Sequence, residues 1–276
     1  MNIPFTKAHG AGNDFLYTWR RDLPSEWTDR ELSQAAVAIC NRHTGAGADG
    51  WYLMADARES DAALHLFNSD GSSAELSGNG TRCAAALIAE ARNLTRIRMS
   101  TGAGIKELAL LERNGNYFRF EMDMGVPRVD SGNLQFALPL ADGPQEVSIL
   151  DVGNPQCAVV VPSLEFDWKK SGAAIEGHRH FPKRTNVSFL RTISPNEIEA
   201  RFYERGAGPT LSSGTGSTGA AAAAILLGLA KSPLAVHTEA GILRFRWENS
   251  PRGSIFLDGP AEITARGEYY WKEEDL

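Results

Sequence analysis

Ser77–Thr81 reads SGNGT and Ser213–Ser217 reads SGTGS, and each stretch is followed by a run of alanines. The two stretches are separated by almost half of the 276-residue chain. Two further pairs recur in the same order at nearly the same separation: Gly12–Asp14 with Gly153–Pro155, and Thr101–Ile105 with Thr238–Ile242. Glycine-rich composition alone does not explain shared order and spacing, so we infer an internal duplication.

Each half is predicted to run from a strand, through a turn-rich loop, into an alanine-rich helix. Residues 62–67 and 198–203 alternate in the way that is typical of strands. Gly219–Leu229 is almost wholly apolar, which predicts a helix buried on every side. We therefore expect an α/β (α+β) fold of two pseudo-symmetric domains, each a β-sheet wrapped round a central helix. The expected lobes are residues 1–125 and 126–276, with the last residues able to return to the first lobe.

The composition favours a globular protein and excludes several classes of function. Hydrophobic residues make up 42% and charged residues 22%, and the net charge is −6 without a basic run that would bind nucleic acid. The longest apolar stretch, Gly219–Ala230, is shorter than the ~20 residues that cross a bilayer, and the first residues lack the features of a signal peptide. Cys40, Cys83 and Cys157 have no metal-site spacing. We expect a cytoplasmic protein without membrane, nucleic-acid or metal partners.

The two glycine loops are each predicted to precede a helix. A helix start presents unpaired backbone N–H groups and the positive end of the helix dipole, which together favour an anion. Taken alone, Ser77 or Ser213 is an ordinary serine N-cap. Because the loop is duplicated, we favour a site in which both helix starts bind one carboxylate and the two serines flank the carbon attached to it.

A dinucleotide site is a weaker interpretation of the same glycines. Gly214–Gly219 formally matches G-x-G-x-x-G, with Glu239 farther along, but we expect a loop, residues 206–213, between strand and helix. Gly45–Gly50 also matches, but it follows a predicted helix over residues 29–42. Both Rossmann interpretations are therefore disfavoured.

Further polar groups lead into the two loops. Glu204 and Arg205 are suited to the ammonium and the carboxylate of an amino acid. The segments 68–72, 153–155 and 184–186 add amides and hydroxyls. Each alone is typical of a turn or a surface pair, whereas together they predict a pocket for an amino acid with a second polar head.

Seven segments in this order resemble the diaminopimelate epimerase family. They are Lys7–Phe15, Asn68–Ser72, Gly78–Cys83, Gly153–Pro155, Arg184–Asn186, Glu204–Gly208 and Gly214–Gly216. The resemblance extends along almost the whole chain. It implies the two-domain fold above with its site in the cleft, and cofactor-independent interconversion of LL- and meso-diaminopimelate on the way to lysine. It also implies a homodimer.

The resemblance also implies roles for individual residues. It assigns the distal, uninverted head of the substrate to Asn68, Asn186, Glu204 and Arg205, the lining of the cleft to Asn13 and Asn154, and the carboxylate of the inverted centre to Gly78, Asn79, Gly214 and Thr215. The two catalytic positions are residues 77 and 213.

The departures from the family pattern fall on the chemistry. The family has a cysteine before each glycine loop, one on either face of the α-carbon, where this chain has Ser77 and Ser213. A thiol has an unperturbed pKa of ~8.5, and an alcohol is a far weaker acid. Gln156 replaces the family's histidine, and Gly50 stands where many members have glutamine, although glycine is a familiar variant there. We expect Cys83 and Cys157 to lie in the core and not to act as the base, so the predicted epimerase is impaired.

Three hypotheses remain open from the sequence. The first is this impaired, or differently assisted, epimerase. The second is an isomerase or dehydratase on the same fold that needs one base, with Glu75 or Glu204 as the candidate. The third is an amino-acid binding protein without turnover. Paired cysteine-to-serine exchange is also what an experimenter would introduce to trap a substrate, although that does not account for Gln156.

Overall fold

The computed structural model describes residues 1–272, and the chain divides into two compact units. The first unit comprises Met1–Glu121 and the segment from Pro260 onward, and the second unit comprises Met122–Gly259. Among the helices of the described residues, none is both long enough and apolar enough to cross a membrane.

Strands outnumber helices in both units. In chain order the elements up to residue 123 are β1 (Asn2–Gly10), β2 (Asn13–Trp19), α1 (Asp29–Cys40), β3 (Gly50–Ala55), β4 (Ala62–Asn68), β5 (Ser73–Ala74), α2 (Gly78–Arg92), β6 (Arg96–Thr101), β7 (Gly104–Asn114) and β8 (Tyr117–Asp123). They are followed by β9 (Phe136–Leu140), β10 (Gly143–Asp151), β11 (Pro155–Val160), α3 (Trp168–Glu176), β12 (Asn186–Ser194), β13 (Glu197–Glu204), β14 (Gly208–Thr210), α4 (Gly214–Leu226), β15 (Leu234–Thr238), β16 (Gly241–Arg246) and β17 (Phe256–Tyr270).

The strand pairing repeats from one unit to the other. In the first unit β1–β2 is antiparallel, β2–β3 parallel, β3–β4 and β4–β5 antiparallel, β4–β6 parallel and β6–β7 antiparallel. In the second unit β10–β11, β11–β12, β12–β13, β13–β14, β13–β15 and β15–β16 follow the same series of directions. The two units share one series of parallel and antiparallel pairings, which confirms the duplication inferred from the glycine loops.

A central helix occupies the same place in each unit. In the first unit α2 packs against β1, β2, β6 and β7, and in the second α4 packs against β10–β13, β15 and β16. Every residue of 78–86 and of 214–224 is buried. The fold of each unit is thus the expected sheet wrapped round a helix.

Small residues allow these helices to lie close to the surrounding strands. A Cβ added to Gly80 would come within 2.3 Å of the Tyr52 ring, and one added to Gly216 within 2.8 Å of the Phe202 ring. A Cβ on Gly219 would come within 3.0 Å of the Gln156 side chain. The helix glycines therefore provide space for neighbouring side chains, at the cost of weaker helix propensity.

Three expectations about element boundaries are wrong. The helix predicted over residues 29–42 ends at Cys40, after starting at a capping box formed by Thr28 and Glu31. The apolar helix does not extend to Leu229: α4 ends at Leu226, and Leu229 is 38% exposed. Residues 206–213 are not all loop, because β14 forms within them and pairs with β13.

Candidate active site

Ser77 lies at the N-terminal end of α2. Its Oγ accepts a hydrogen bond of 3.2 Å from the backbone N–H of Gly80, which makes Ser77 the N-cap. The hydroxyl of Tyr52 donates a hydrogen bond of 3.5 Å to the Ser77 carbonyl. Ser77 is 8% exposed, so its hydroxyl is held at the positive end of a helix dipole with little access for water.

Ser213 has the equivalent position at the start of α4. Its Oγ accepts a hydrogen bond of 3.0 Å from the backbone N–H of Gly216 and donates one of 3.0 Å to Oε2 of Glu204. The hydroxyl of Thr210 donates a hydrogen bond of 2.7 Å to Oε1 of the same glutamate. The Ser213 hydroxyl, 1% exposed, therefore has a carboxylate partner that can accept its proton.

The predicted carboxylate-binding residues lie in the first turns of the two helices. Gly78 and Asn79 begin α2, and Gly214 and Thr215 begin α4. Backbone N–H groups in a first helical turn have no acceptor within the helix. Each unit thus has the type of helix start that binds a carboxylate oxygen.

Two asparagines lie together beside the start of α2. Asn79 Nδ2 donates a hydrogen bond of 3.3 Å to Asn13 Oδ1, and Asn13 Nδ2 donates one of 2.7 Å to Asp49 Oδ2. Burial and the adjacent Asp14 carboxylate raise the pKa of Asp49. Asp14 itself has a lowered pKa, because hydrogen bonds from its basic neighbours, Arg42 first, outweigh the effect of burial.

Asn154 has the position in the second unit that Asn13 has in the first. Its Nδ2 donates a hydrogen bond of 3.3 Å to the Thr215 hydroxyl, and its Oδ1 accepts one of 2.6 Å from Gln156 Nε2. Gln156 is fully buried, and its Oε1 has no hydrogen-bond partner within the described part of the chain. The residue that replaces the family's histidine therefore contacts a predicted cleft-lining amide.

The residues assigned to the distal head are divided between the units. In the second unit Asn186 Oδ1 accepts a hydrogen bond of 3.0 Å from the backbone N–H of Arg205, the neighbour of Glu204. Asn186 Nδ2 donates a hydrogen bond of 3.0 Å to the Pro155 carbonyl. Asn68 belongs to the first unit, where its Nδ2 donates one of 3.0 Å to Ser72.

The three cysteines are buried, as expected for Cys83 and Cys157. Cys83 on α2 and Cys157 on β11 are fully buried, and Cys40 on α1 is 2% exposed. Burial raises the pKa of Cys40 and of Cys83 to about 12, and it also raises the pKa of Cys157. A thiolate is therefore unfavourable at all three positions.

His9 and His65 have hydrogen-bond partners other than the two serines. His9 Nδ1 accepts a hydrogen bond of 3.4 Å from the Gly12 N–H, and His65 Nε2 lies 3.0 Å from the Ser73 hydroxyl. Among residues 1–272, no His, Cys, Asp and Glu side chains are grouped as a metal would need.

Sequence reasoning missed four residues in these surroundings. Tyr52, Asp49 and Arg82 contact the start of α2 or its asparagines, and Thr210 holds Glu204. Thr210 lies three residues before Ser213, and Arg82 lies five residues after Ser77, so closeness in sequence could have identified both. Tyr52 and Asp49 reach the site through strand pairing, which the local sequence does not display.

Comparison with known proteins identifies the family. The family model described as diaminopimelate epimerase matches residues 5–129 and 148–264. The diaminopimelate epimerase of Pelotomaculum thermopropionicum is 37% identical, with 97% of this chain and 99% of that protein covered. The diaminopimelate epimerase of Paraburkholderia xenovorans is 35% identical, with 97% and 98% covered.

Solved structures share the fold at low sequence identity. A hydroxyproline epimerase from Agrobacterium vitis, with bound trans-4-OH-L-proline, matches with a TM-score of 0.78 and 15% identity, covering 97% of this chain and 90% of that one. A methylitaconate-delta-isomerase matches with a TM-score of 0.62 and 14% identity, covering 100% and 97%. The sequence relatives and the family model together show that this chain belongs to the diaminopimelate epimerase family.

Proposed function

We propose that this protein is a cofactor-independent epimerase that interconverts LL- and meso-diaminopimelate, and that Ser77 and Ser213 make it slow. The observation that carries the proposal is the equivalent place of the two serines: each is the N-cap of the central helix in one of two duplicated units. In the family a cysteine stands at each of these positions. The proposal requires both helix starts to act on one substrate molecule.

The proposed proton transfer uses the two hydroxyls as an acid and a base. In one direction Ser213 Oγ takes the α-proton while its own proton passes to Glu204, 3.0 Å away. Ser77 then delivers a proton to the opposite face of the carbon and regains one from water, while Glu204 releases its extra proton to water. The N–H groups of the two first helical turns stabilise the negative charge that develops on the substrate carboxylate.

The distal head of the substrate is proposed to contact Asn68, Asn186 and Arg205. Glu204, which the family resemblance also places there, has both carboxylate oxygens bonded to hydroxyls, those of Thr210 and Ser213. These contacts support a role for Glu204 beside the reacting centre. Asn13 and Asn154 line the cleft in this proposal.

The experiment is exchange of the α-proton of LL-diaminopimelate in D2O, followed by proton NMR. The unsubstituted chain is expected to exchange slowly, and the double variant Ser77→Cys with Ser213→Cys is expected to exchange at least ~10²-fold faster, the scale of a single acid–base group. Double substitution by alanine is the control. Ordinary enzymatic exchange by the unsubstituted chain would show that the serines do not limit the reaction.

One observation favours a second candidate, a one-base isomerase or dehydratase. Glu204 lies within hydrogen-bond distance of Ser213, so it is placed to act as a single base. In that case the paired cysteine substitution leaves the rate unchanged, whereas Glu204→Gln abolishes the reaction of the true substrate.

We also propose that the chain works as a homodimer in the cytoplasm. The support is the family membership of the whole chain, residues 5–129 and 148–264 being matched. Sedimentation equilibrium of the 30.0 kDa chain at micromolar concentration tests the assembly, and a monomer mass would contradict it.

A further inference from the structure

Four polar side chains of the first unit form one hydrogen-bonded row. Asp49 Oδ2 accepts 2.7 Å from Asn13 Nδ2, Asn13 Oδ1 accepts 3.3 Å from Asn79 Nδ2, and Asn79 Oδ1 accepts 2.5 Å from Arg82 Nη2. Asn79 and Arg82 are fully buried, and Asn13 is 3% exposed. The row therefore connects two of the predicted substrate-binding asparagines to a charged group at each end.

The charged ends fix which way both amides point. A carboxylate can only accept hydrogen bonds, and a guanidinium can only donate them. Turning either asparagine by 180° about its last torsion would place two oxygens, or two NH2 groups, against each other. Between Asp49 and Arg82 only one arrangement satisfies the three hydrogen bonds of the row: both NH2 groups towards the aspartate and both oxygens towards the arginine.

Each end of the row is held by contacts that do not involve a ligand. Asp49 Oδ1 accepts a hydrogen bond of 2.7 Å from Arg42, and Asp49 Oδ2 accepts one of 3.2 Å from the backbone N–H of Asp14. Arg82 donates to the carbonyl oxygens of Gly78 and Pro260, both at 3.2 Å. The orientation of the amides is thus set before substrate arrives.

The corresponding described residues of the second unit are of a different type. By strand register and helix position, Thr185 before β12 corresponds to Asp49 before β3, and Thr218 on α4 corresponds to Arg82 on α2. Asn154 there contacts Gln156 and Thr215, whose side chains can each donate or accept. In the first unit the row therefore ends in Asp49 and Arg82, whereas the corresponding described residues of the second unit are the uncharged Thr185 and Thr218.

A fully buried arginine is poorly explained by stability alone. Replacement of buried charged groups by apolar ones of similar size is often neutral or stabilising, because burial removes their hydration. Arg82 donates to two backbone carbonyls, those of Gly78 and Pro260, and to the side-chain oxygen of Asn79. Asn79 in turn bonds to Asn13, a predicted cleft-lining residue, which is where a functional role would act.

We propose that Asp49 and Arg82 are positioning residues that set the amide orientation of Asn13 and Asn79 in the substrate site. The inference rests on the proposed function for the identity of the ligand, but not for the existence of the row. With the amides fixed, Asn13 presents its donor and its acceptor to the ligand in one pattern, and Asn79 holds Asn13 in that orientation. Loss of either charged end makes two patterns accessible and weakens recognition.

The test compares isosteric changes at two neighbouring aspartates. Asp49→Asn replaces the acceptor-only end by a group that can donate or accept, whereas Asp14→Asn, the matched control, removes a carboxylate of the same cluster that binds Arg42 and Lys7 and is not bonded to the Asn13 amide. Side-chain amide signals of ligand-free protein are recorded by ¹⁵N–¹H NMR, and affinity for meso-diaminopimelate by calorimetry. We expect Asp49→Asn to shift or broaden the Asn13 and Asn79 signals and to weaken binding by ~10-fold, and Asp14→Asn to do neither.

A second pair of variants addresses the other end and guards against a variant that fails to fold. Arg82→Lys keeps a donor-only charge and is expected to retain the native amide signals, whereas Arg82→Met is expected to lose them. Unchanged amide signals in Asp49→Asn, or equal changes in Asp14→Asn, would overturn the inference. If the unsubstituted chain does not bind diaminopimelate at all, the proposed function fails, and the amide signals of the ligand-free protein alone decide the positioning role.

Discussion

Ser213 donates a hydrogen bond of 3.0 Å to Glu204, which is the last residue of β13. The corresponding strand of the first unit ends at Asn68, whose amide bonds to Ser72. The duplicated units therefore differ at the last residue of this strand: Glu204, a carboxylate, in one and Asn68, an amide, in the other. The predicted acid–base pair is asymmetric for this reason.

The first prediction concerns this carboxylate. In the background of the two restored cysteines, Glu204→Gln is expected to lower α-proton exchange by ~10²-fold or more, because an amide cannot take up the proton of residue 213. The matched control is Glu199→Gln on the same strand, where the glutamate binds Arg191 and Arg201. Equal losses in both variants would indicate damage to β13 instead of a lost proton acceptor.

A second prediction concerns the native thiols. Cys40, Cys83 and Cys157 are buried, and their raised pKa values disfavour the thiolate. Mass spectrometry after iodoacetamide treatment of the folded protein at pH 8 is expected to show no modified cysteine, and three after unfolding in urea. Modification of Cys83 in the folded unsubstituted chain would contradict its assignment to the core.

Packing at the start of α2 gives a third prediction. Gly80→Ala favours the helix by up to ~1 kcal/mol but places a Cβ 2.3 Å from the Tyr52 ring. We expect a net loss of ~1–3 kcal/mol in the free energy of unfolding, because the well-packed aromatic has little room to move. Gly177→Ala is the control, since its nearest neighbour would be 3.7 Å away. Urea denaturation measures both, and a stabilised Gly80→Ala protein would disprove the tight packing.

The fourth prediction is a pH dependence of stability. Burial acts to raise the pKa of Glu199, but hydrogen bonds from Arg191 and Arg201 outweigh it and hold the pKa below its ordinary value of 4.5. A lowered folded-state pKa adds stability above the unfolded-state value and loses it as pH falls through the folded-state value. The stability difference between the unsubstituted chain and Glu199→Gln is therefore expected to be largest at neutral pH and to shrink below pH 4.5. A difference that stays constant across that range in urea titrations would contradict the ion-pair assignment.

Features carried by short stretches of sequence were predicted well. The glycine loops showed the duplication, and the alanine runs showed the central helices, because both depend on residues that are adjacent in the chain. The end of α4 was missed: apolar residues continue to Leu229, but Gly228 adopts a φ of 72° that a helix cannot include. The apolar sequence predicted a longer buried helix, but the backbone conformation of Gly228 ends α4 before it.

Contacts between distant segments were not predicted. Sequence identified Glu204 as a partner for a substrate head, and only the fold shows it bonded to Ser213. Asp49 reaches Asn13 because β2 and β3 are parallel neighbours, and this register has no local sequence signature. Residues such as Asp49, whose contacts depend on strand pairing, were therefore identified only from the structure.

The most direct test of the account is a crystal structure of the protein with meso-diaminopimelate bound. The account predicts one substrate carboxylate that accepts hydrogen bonds at ~3 Å from N–H groups at the starts of both α2 and α4. It also predicts the hydroxyls of Ser77 and Ser213 on opposite sides of the adjoining carbon. A ligand held by one helix start alone, with the other serine on a remote surface, would contradict it.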